Sequence, residues 1–139
     1  MIAAAKPTTK LYEKSYLVIE YDAEKKLLIQ NWRGFATSAE FREGIEKSVE
    51  IFRQKKPSRL LSNTQNSSLV KKEDTEWAAT YGIGNMLQNG LKAVAFIIST
   101  NAFTQMSVSN FKDQTKNAPF VMQYFDDVEK ATNWLLTVQ

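Results

Sequence analysis

The run LKAVAFIIS, Leu91 to Ser99, is apolar at Leu91 and at every position from Ala93 to Ile98. It has the length of a strand, and it is apolar on both of the faces that alternate along one. That is the pattern of a central strand covered by helices on either side, as in parallel sheets. The segments around it should therefore alternate between helix and strand.

They do. Upstream, RLLSN (Arg59 to Asn63) reads as a short buried strand, and downstream FVMQYF (Phe120 to Phe125) reads as the last one. A helical pattern begins near Lys72: Glu73, Asp74 and Glu76 suit a first turn, and Trp77, Tyr81 and Leu87 share a face. Gly82 and Gly84 each cost this helix about 1 kcal/mol relative to alanine, so it must bend there or pack closely against a neighbour. Asn89 and Gly90 close it as a glycine C-cap. After Ser99, residues 100 to 117 are polar with apolar anchors at Phe103, Met106, Val108 and Phe111, which suits a partly exposed helix. Asp126 followed by Glu129 has capping spacing for a terminal helix.

Toward the N-terminus, TSAE (Thr37 to Glu40) has the spacing of a capping box. The helix it opens extends to Lys55, with Phe41, Ile45, Val49 and Phe52 on one face, and Pro57 stops it. LYEKSYLVIEYD (Leu11 to Asp22) and KLLIQNW (Lys26 to Trp32) form an antiparallel hairpin across DAEK. The expected order is ββαβαβαβα: an α/β fold with a mixed, mainly parallel five-stranded sheet and about four helices. Residues 1–10 are expected to be a flexible N-terminus and 11–139 a single domain.

With 43% hydrophobic and 12% aromatic residues, the 139-residue chain can bury a substantial core. It has no cysteine and no histidine, which excludes disulfides, thiolate nucleophiles, cysteine zinc sites and imidazole as ligand or base. A non-enzymatic role without metal or cofactor is the expectation. No apolar run approaches the roughly 18 residues of a membrane span, and MIAAAKPTTK lacks the basic start of a secretion signal. A cytoplasmic location is expected.

The charge is uneven: residues 1–72 hold 14 Lys and Arg against 8 Asp and Glu, whereas residues 73–139 hold 4 against 7. Arg53, Lys55, Lys56 and Arg59 gather where a helix ends and a strand begins, a place where cations complement the helix dipole. No basic stripe interleaved with aromatics appears, so no nucleic-acid partner is expected. GIGNM (Gly82 to Met86) lacks the full spacing of a dinucleotide loop and falls inside a helical pattern. The acid pairs Glu73–Asp74 and Asp126–Asp127 fit capping and first-turn positions better than metal ligation.

The element order, with YDAEKKLLIQNWRGFATSAEFREGIEKSVEIF, KPSRLLSNTQN and FDDVEKATNWL, resembles the SpoIIAA-like fold of STAS domains. It resembles most narrowly the stand-alone bacterial STAS-like proteins, whose fold is also compared with CRAL-TRIO lipid-binding domains. The resemblance implies a regulatory or protein-interaction module. In phospho-regulated STAS proteins a serine follows the third strand; the matching place is Ser62 to Ser68, which lacks the usual aspartate-serine pair. Related stand-alone proteins carry an acid and an arginine where this chain has Asn63 and Gln65.

Two candidate sites follow. One is an interaction loop of Ser62, Asn63, Thr64, Gln65, Ser67 and Ser68, where a phosphate would lie near Lys71, Lys72 and a helix N-terminus. The other is an apolar surface or pocket of Trp77, Tyr81, Phe103, Met106 and Phe111. The expected functions are a non-catalytic interaction module, including self-association, then a carrier or sensor of a small apolar ligand, then a phosphorylation switch in the loop.

Overall fold

A computed structural model describes residues 8–68, 70–99 and 120–138. The elements are β1 (Thr9–Lys14), β2 (Leu17–Asp22), β3 (Leu27–Gly34), α1 (Ser38–Lys55), β4 (Arg59–Ser67), α2 (residues 72–88), β5 (Ala93–Ile97), β6 (Val121–Phe125) and α3 (Val128–Thr137). The strands lie in sequence order in one sheet. The β1–β2 and β2–β3 pairings are antiparallel, and the three from β3 to β6 are parallel.

The sheet thus has six strands rather than five. The segment Leu11 to Asp22 is two strands, because the chain turns at Ser15 and Tyr16 and pairs Lys14 with Leu17. Nothing local marks this turn as glycine or proline would. A distant residue holds it instead: Arg33 donates through Nε to the Ser15 carbonyl (3.1 Å), through Nη2 to the Lys14 carbonyl (3.2 Å) and through its backbone amide to the Tyr16 carbonyl (3.0 Å). Among the described residues there are three helices; the one expected over residues 100–117 lies outside them.

Helix α1 starts as its sequence dictates. Thr37 Oγ1 accepts from the Glu40 amide (3.1 Å), while the Glu40 carboxylate accepts from the Thr37 amide (2.9 Å). Ile45, Val49 and Phe52 are buried as the spacing predicts, with Ile51 also buried. Gly44 sets how close α1 comes to the sheet: a Cβ there would sit 2.5 Å from Leu17 Cδ2 and 2.8 Å from Trp32 Cη2.

Helix α2 meets the expectation of close packing at Gly82, whereas a Cβ on Gly84 would meet nothing within 4 Å. It runs as α-helix over Lys72–Trp77, widens to a π-helical turn over Ala78–Gly82 and returns to α-helix over Ile83–Gln88. A Cβ on Gly82 would lie 2.9 Å from Ile45 Cγ2, so α1 and α2 meet there. Gly90 (φ +111°) turns the chain into β5.

The cap of α3 is Asp127, one residue later than the Asp126 expected from spacing. Its Oδ1 accepts from the amides of Glu129 (2.7 Å) and Lys130 (3.1 Å). This places the acceptor next to the free amides of the first turn. Helix α3 covers the opposite face of the sheet from α1 and α2, packing Ala131 and Leu135 against Leu27, Leu61, Ala93, Ala95 and Ile97. The larger core, on the α1 and α2 side, contains Leu17, Ile19, Leu28, Trp32, Leu60 and Val94. Arg59 caps the end of α3, donating to the Leu135 carbonyl (2.8 Å) and the Val138 carbonyl (3.1 Å) as well as to the Lys25 carbonyl (2.6 Å). No helix among the described residues is long and apolar enough to cross a membrane.

The Gly44 contact gives a direct test of helix-to-sheet packing. Gly44→Ala gains helix propensity but forces Trp32 or α1 to shift, and overpacking costs about 1–3 kcal/mol. A net loss of about 1–2 kcal/mol is expected in urea unfolding; unchanged or raised stability would contradict the close approach.

Candidate functional site

Strand β4 runs through the polar segment rather than ending before it. It continues past Asn63 to Ser67, pairing Arg33 with Asn66 and Gly34 with Ser67 after one extra residue in β4 between Asn63 and Asn66. The expected loop of Ser62, Asn63, Thr64, Gln65, Ser67 and Ser68 is therefore mostly strand, and only Ser68 lies beyond it. Alternation splits the set between the two faces.

Asn63 and Gln65 are spent on structure. Asn63 Nδ2 donates to Asn31 Oδ1 (3.3 Å), and Gln65 Nε2 donates to the Asp126 carbonyl (2.8 Å). Ser62, Thr64, Ser67 and Ser68 line a cavity of about 820 Å³ on the α1 and α2 side of the sheet. It lies toward the C-terminal ends of the parallel strands, where open α/β sheets place their ligands.

The cavity is built from both layers. The sheet contributes Gln30 and Trp32 from β3, Leu60, Ser62 and Thr64 from β4, and Phe96 from β5, with Ile98 just after it. The helices contribute Phe41 and Ile45 from α1 and Asp74, Ala78, Gly82, Ile83 and Met86 from α2. Serine and threonine at 62 and 64 of a central strand leave space that longer side chains would fill. The walls are mainly apolar; Gln30, at 2% exposed, is the main polar group embedded in them. Its Nε2 donates to Ser48 Oγ (2.8 Å) and its Oε1 accepts from Trp32 Nε1 (3.3 Å).

At the rim, Asp74 joins the two helices. Ser38 Oγ donates to its Oδ2 (2.6 Å), and Arg42 Nε donates to its Oδ1 (2.9 Å). Burial works to raise the Asp74 pKa, but the Ser38 and Arg42 hydrogen bonds and the charges of Arg42 and Lys71 outweigh it, holding the carboxyl below its ordinary value. The exposed Arg33 and Lys71 also stand at this rim. Among the described residues, no group of three or more acids is placed to hold a metal ion.

Of the second expected site, Trp77 and Tyr81 fall among the described residues. Trp77 and Tyr81 stack on each other (4.9 Å between centroids, 13° between planes), and the Arg42 guanidinium lies over Trp77 at 4.8 Å. Neither lines the cavity, and Phe103, Met106 and Phe111 lie outside the described residues. Sequence reasoning missed Gln30, whose position within KLLIQNW was a usable signal: an amide facing the same way as Leu28 and Trp32 must find partners inside.

No protein-family model matches the chain, and no curated protein matches it in sequence. Its structure is similar to that of an uncharacterised protein of the DUF3478 family with a SpoIIAA-like fold from Shewanella loihica PV-4. The match has a TM-score of 0.53 and covers 96% of this chain and 98% of the other, at 13% sequence identity. The chain has a SpoIIAA-like fold. In this fold the expected mixed sheet and the helices on both faces are present, and the cavity sits between β3–β5 and the helices α1 and α2.

Because the folded-state pKa of Asp74 is lowered, its contribution is present above the ordinary carboxylate value of about 4 and is lost as pH falls through the folded value. Asp74→Asn should cost about 1–3 kcal/mol at pH 7. The gap to wild type in urea unfolding should narrow as pH is lowered from about 5 to 3. A gap that stays constant across that range would remove the charge from the explanation.

Proposed function

We propose that the protein is a non-catalytic binding domain that carries or senses a small molecule with an apolar body, held between the sheet and the helices α1 and α2. The observation that carries this reading is the cavity of about 820 Å³ with mainly apolar walls. Its size falls in the range of roughly 300–1,000 Å³ usual for small-molecule sites. The groups around it offer apolar contact and hydrogen bonds, and the acid at its rim is committed to Ser38 and Arg42. The segment 103–111, against which the sequence reading placed such a ligand, lies outside the described residues.

The test uses 1-anilinonaphthalene-8-sulfonate as probe, with native mass spectrometry of freshly purified protein to detect retained ligand. Wild type should bind the probe or retain a ligand, and Thr64→Trp, which places an indole in the cavity, should weaken probe binding about tenfold or more. A wild-type protein that binds no probe and retains nothing would overturn the reading.

A second reading, protein association including self-association, has its own supporting observation. Val121 on β6 and Val128 and Leu136 on α3 are large apolar side chains left 42–47% exposed. Strand β6 lies last in the described sheet order, whereas the other edge, β1, carries Lys10, Glu13 and Lys14, charges of the kind that discourage edge pairing. Under this reading, light scattering should find a dimer that Val121→Lys dissociates; a monomer at every concentration would eliminate it. A phosphorylation switch, the third reading, would fall on exposed Ser68 rather than on Ser62, which is buried in β4.

A further inference from the structure

The polar residues buried among the described ones are nearly all matched. Asp22, Gln30, Ser48, Asp74 and Thr75 each have a side-chain hydrogen bond. Ser62 differs. It is 5% exposed, and its hydroxyl has no hydrogen-bond partner among the described residues. Yet no fully occluded side-chain polar atom among those residues is left unsatisfied. The Ser62 Oγ must therefore reach open space, and the space that Ser62 lines is the cavity.

Its surroundings define what could meet it. Parallel pairing sets Ser62 beside Gln30 on one side and Phe96 on the other. The Gln30 carbonyl is taken by Trp32, and one amide hydrogen goes to Ser48. A primary amide has two N–H groups, so Gln30 keeps a second donor beyond the one given to Ser48. The charged lining residues are different in place: Arg33 and Lys71 are exposed, and Asp74 is already bonded to Ser38 and Arg42. An ionised group at Ser62 would lose its hydration with no counter-ion beside it, a large penalty. A neutral oxygen would gain a hydrogen bond there without that loss.

We propose that Ser62 is a specificity-determining residue that selects ligands presenting a neutral carbonyl or hydroxyl oxygen at their inner end. This rests on the cavity-binding reading above and narrows it to neutral, oxygen-bearing apolar molecules inserted oxygen first. Ser62 then donates to that oxygen. The apolar body lies among Trp32, Ile45, Ile83 and Met86.

The experiment compares benzophenone with diphenylmethane, the same skeleton with CH₂ in place of C=O, as competitors for bound 1-anilinonaphthalene-8-sulfonate. Wild type should favour benzophenone. Ser62→Ala should weaken benzophenone about five- to tenfold, the effect of one lost hydrogen bond, while leaving diphenylmethane within about twofold. Ser62→Thr, which keeps the hydroxyl, should retain the preference. Thermal unfolding of each variant checks that the fold is intact. If both compounds bind and Ser62→Ala changes them equally or not at all, the role of Ser62 is refuted while the cavity reading stands. If neither compound nor the probe binds wild type and native mass spectrometry finds no retained ligand, the cavity reading fails and takes this inference with it.

Discussion

Leu60 and Leu61 are neighbours in β4, and both are 2% exposed, because one packs under α1 and α2 and the other under α3. A strand's side chains alternate with a period of two, so this pair fixes the faces that Ser62 and Asn63 take, before the extra residue between Asn63 and Asn66 resets the alternation. Sliding β4 by one residue would bring Asn63 into the cavity and Ser62 against Ala93, Ala95 and Leu135. Neither exchange can be absorbed, since the α3 side is packed with small and aliphatic residues and Asn63 would lose Asn31. The strand is also anchored at its start, where Arg59 binds carbonyls of the β2–β3 connection and of the end of α3. The packing of both layers and the position of the cavity thus have one cause.

The helices over this face are held at separate points. Gly44 brings the backbone of α1 onto Leu17 and Trp32, and Gly82 lets Ile45 meet the π-helical turn of α2. Asp74 ties the start of α2 to the start of α1 through Ser38 and Arg42. Ile45, Gly82, Ser38 and Asp74 all line the cavity, so the contacts that fasten the helices to each other also frame the space beneath them. The π turn is part of this arrangement: the extra residue shifts the register of the face that α2 turns toward α1, as such turns commonly do near functional sites.

What could be read from the sequence was what is encoded locally. The apolar run in β5 and the box at Thr37 and Glu40 carry their reasons within a few residues, and both are present in the structure. The division of Leu11 to Asp22 into two strands was not legible, because its turn is held by Arg33, 17 or more positions away in the chain. The extension of β4 through Asn63, Thr64 and Gln65 was hidden for a similar reason. Polar residues read as loop unless their partners are known, and these partners are Asn31, the Ile97 carbonyl and the Asp126 carbonyl. Asp74 was read as a first-turn acid, which it is, but its burial depends on residues 32 and 36 positions earlier. Of the two candidate sites, the hydroxyl segment lies partly along the cavity, whereas Trp77 and Tyr81 of the aromatic one stack on each other beside Arg42.

The hydroxyl residues of β4 are not equivalent. Thr64 Oγ1 donates to the Ile97 carbonyl (3.0 Å) and Ser67 Oγ donates to the Thr64 carbonyl (3.1 Å), so both turn their donors back into the backbone. Such bonds allow a polar residue to stand on a partly buried strand at little cost, and they leave its methyl or methylene to face inward. Ser62 sits deeper than either, at a position where an aliphatic side chain would bury more surface and suit the strand better. Stability alone does not account for a serine there. A hydroxyl directed into the open space between Gln30 and Phe96 makes physical sense when something that can accept its proton occupies that space.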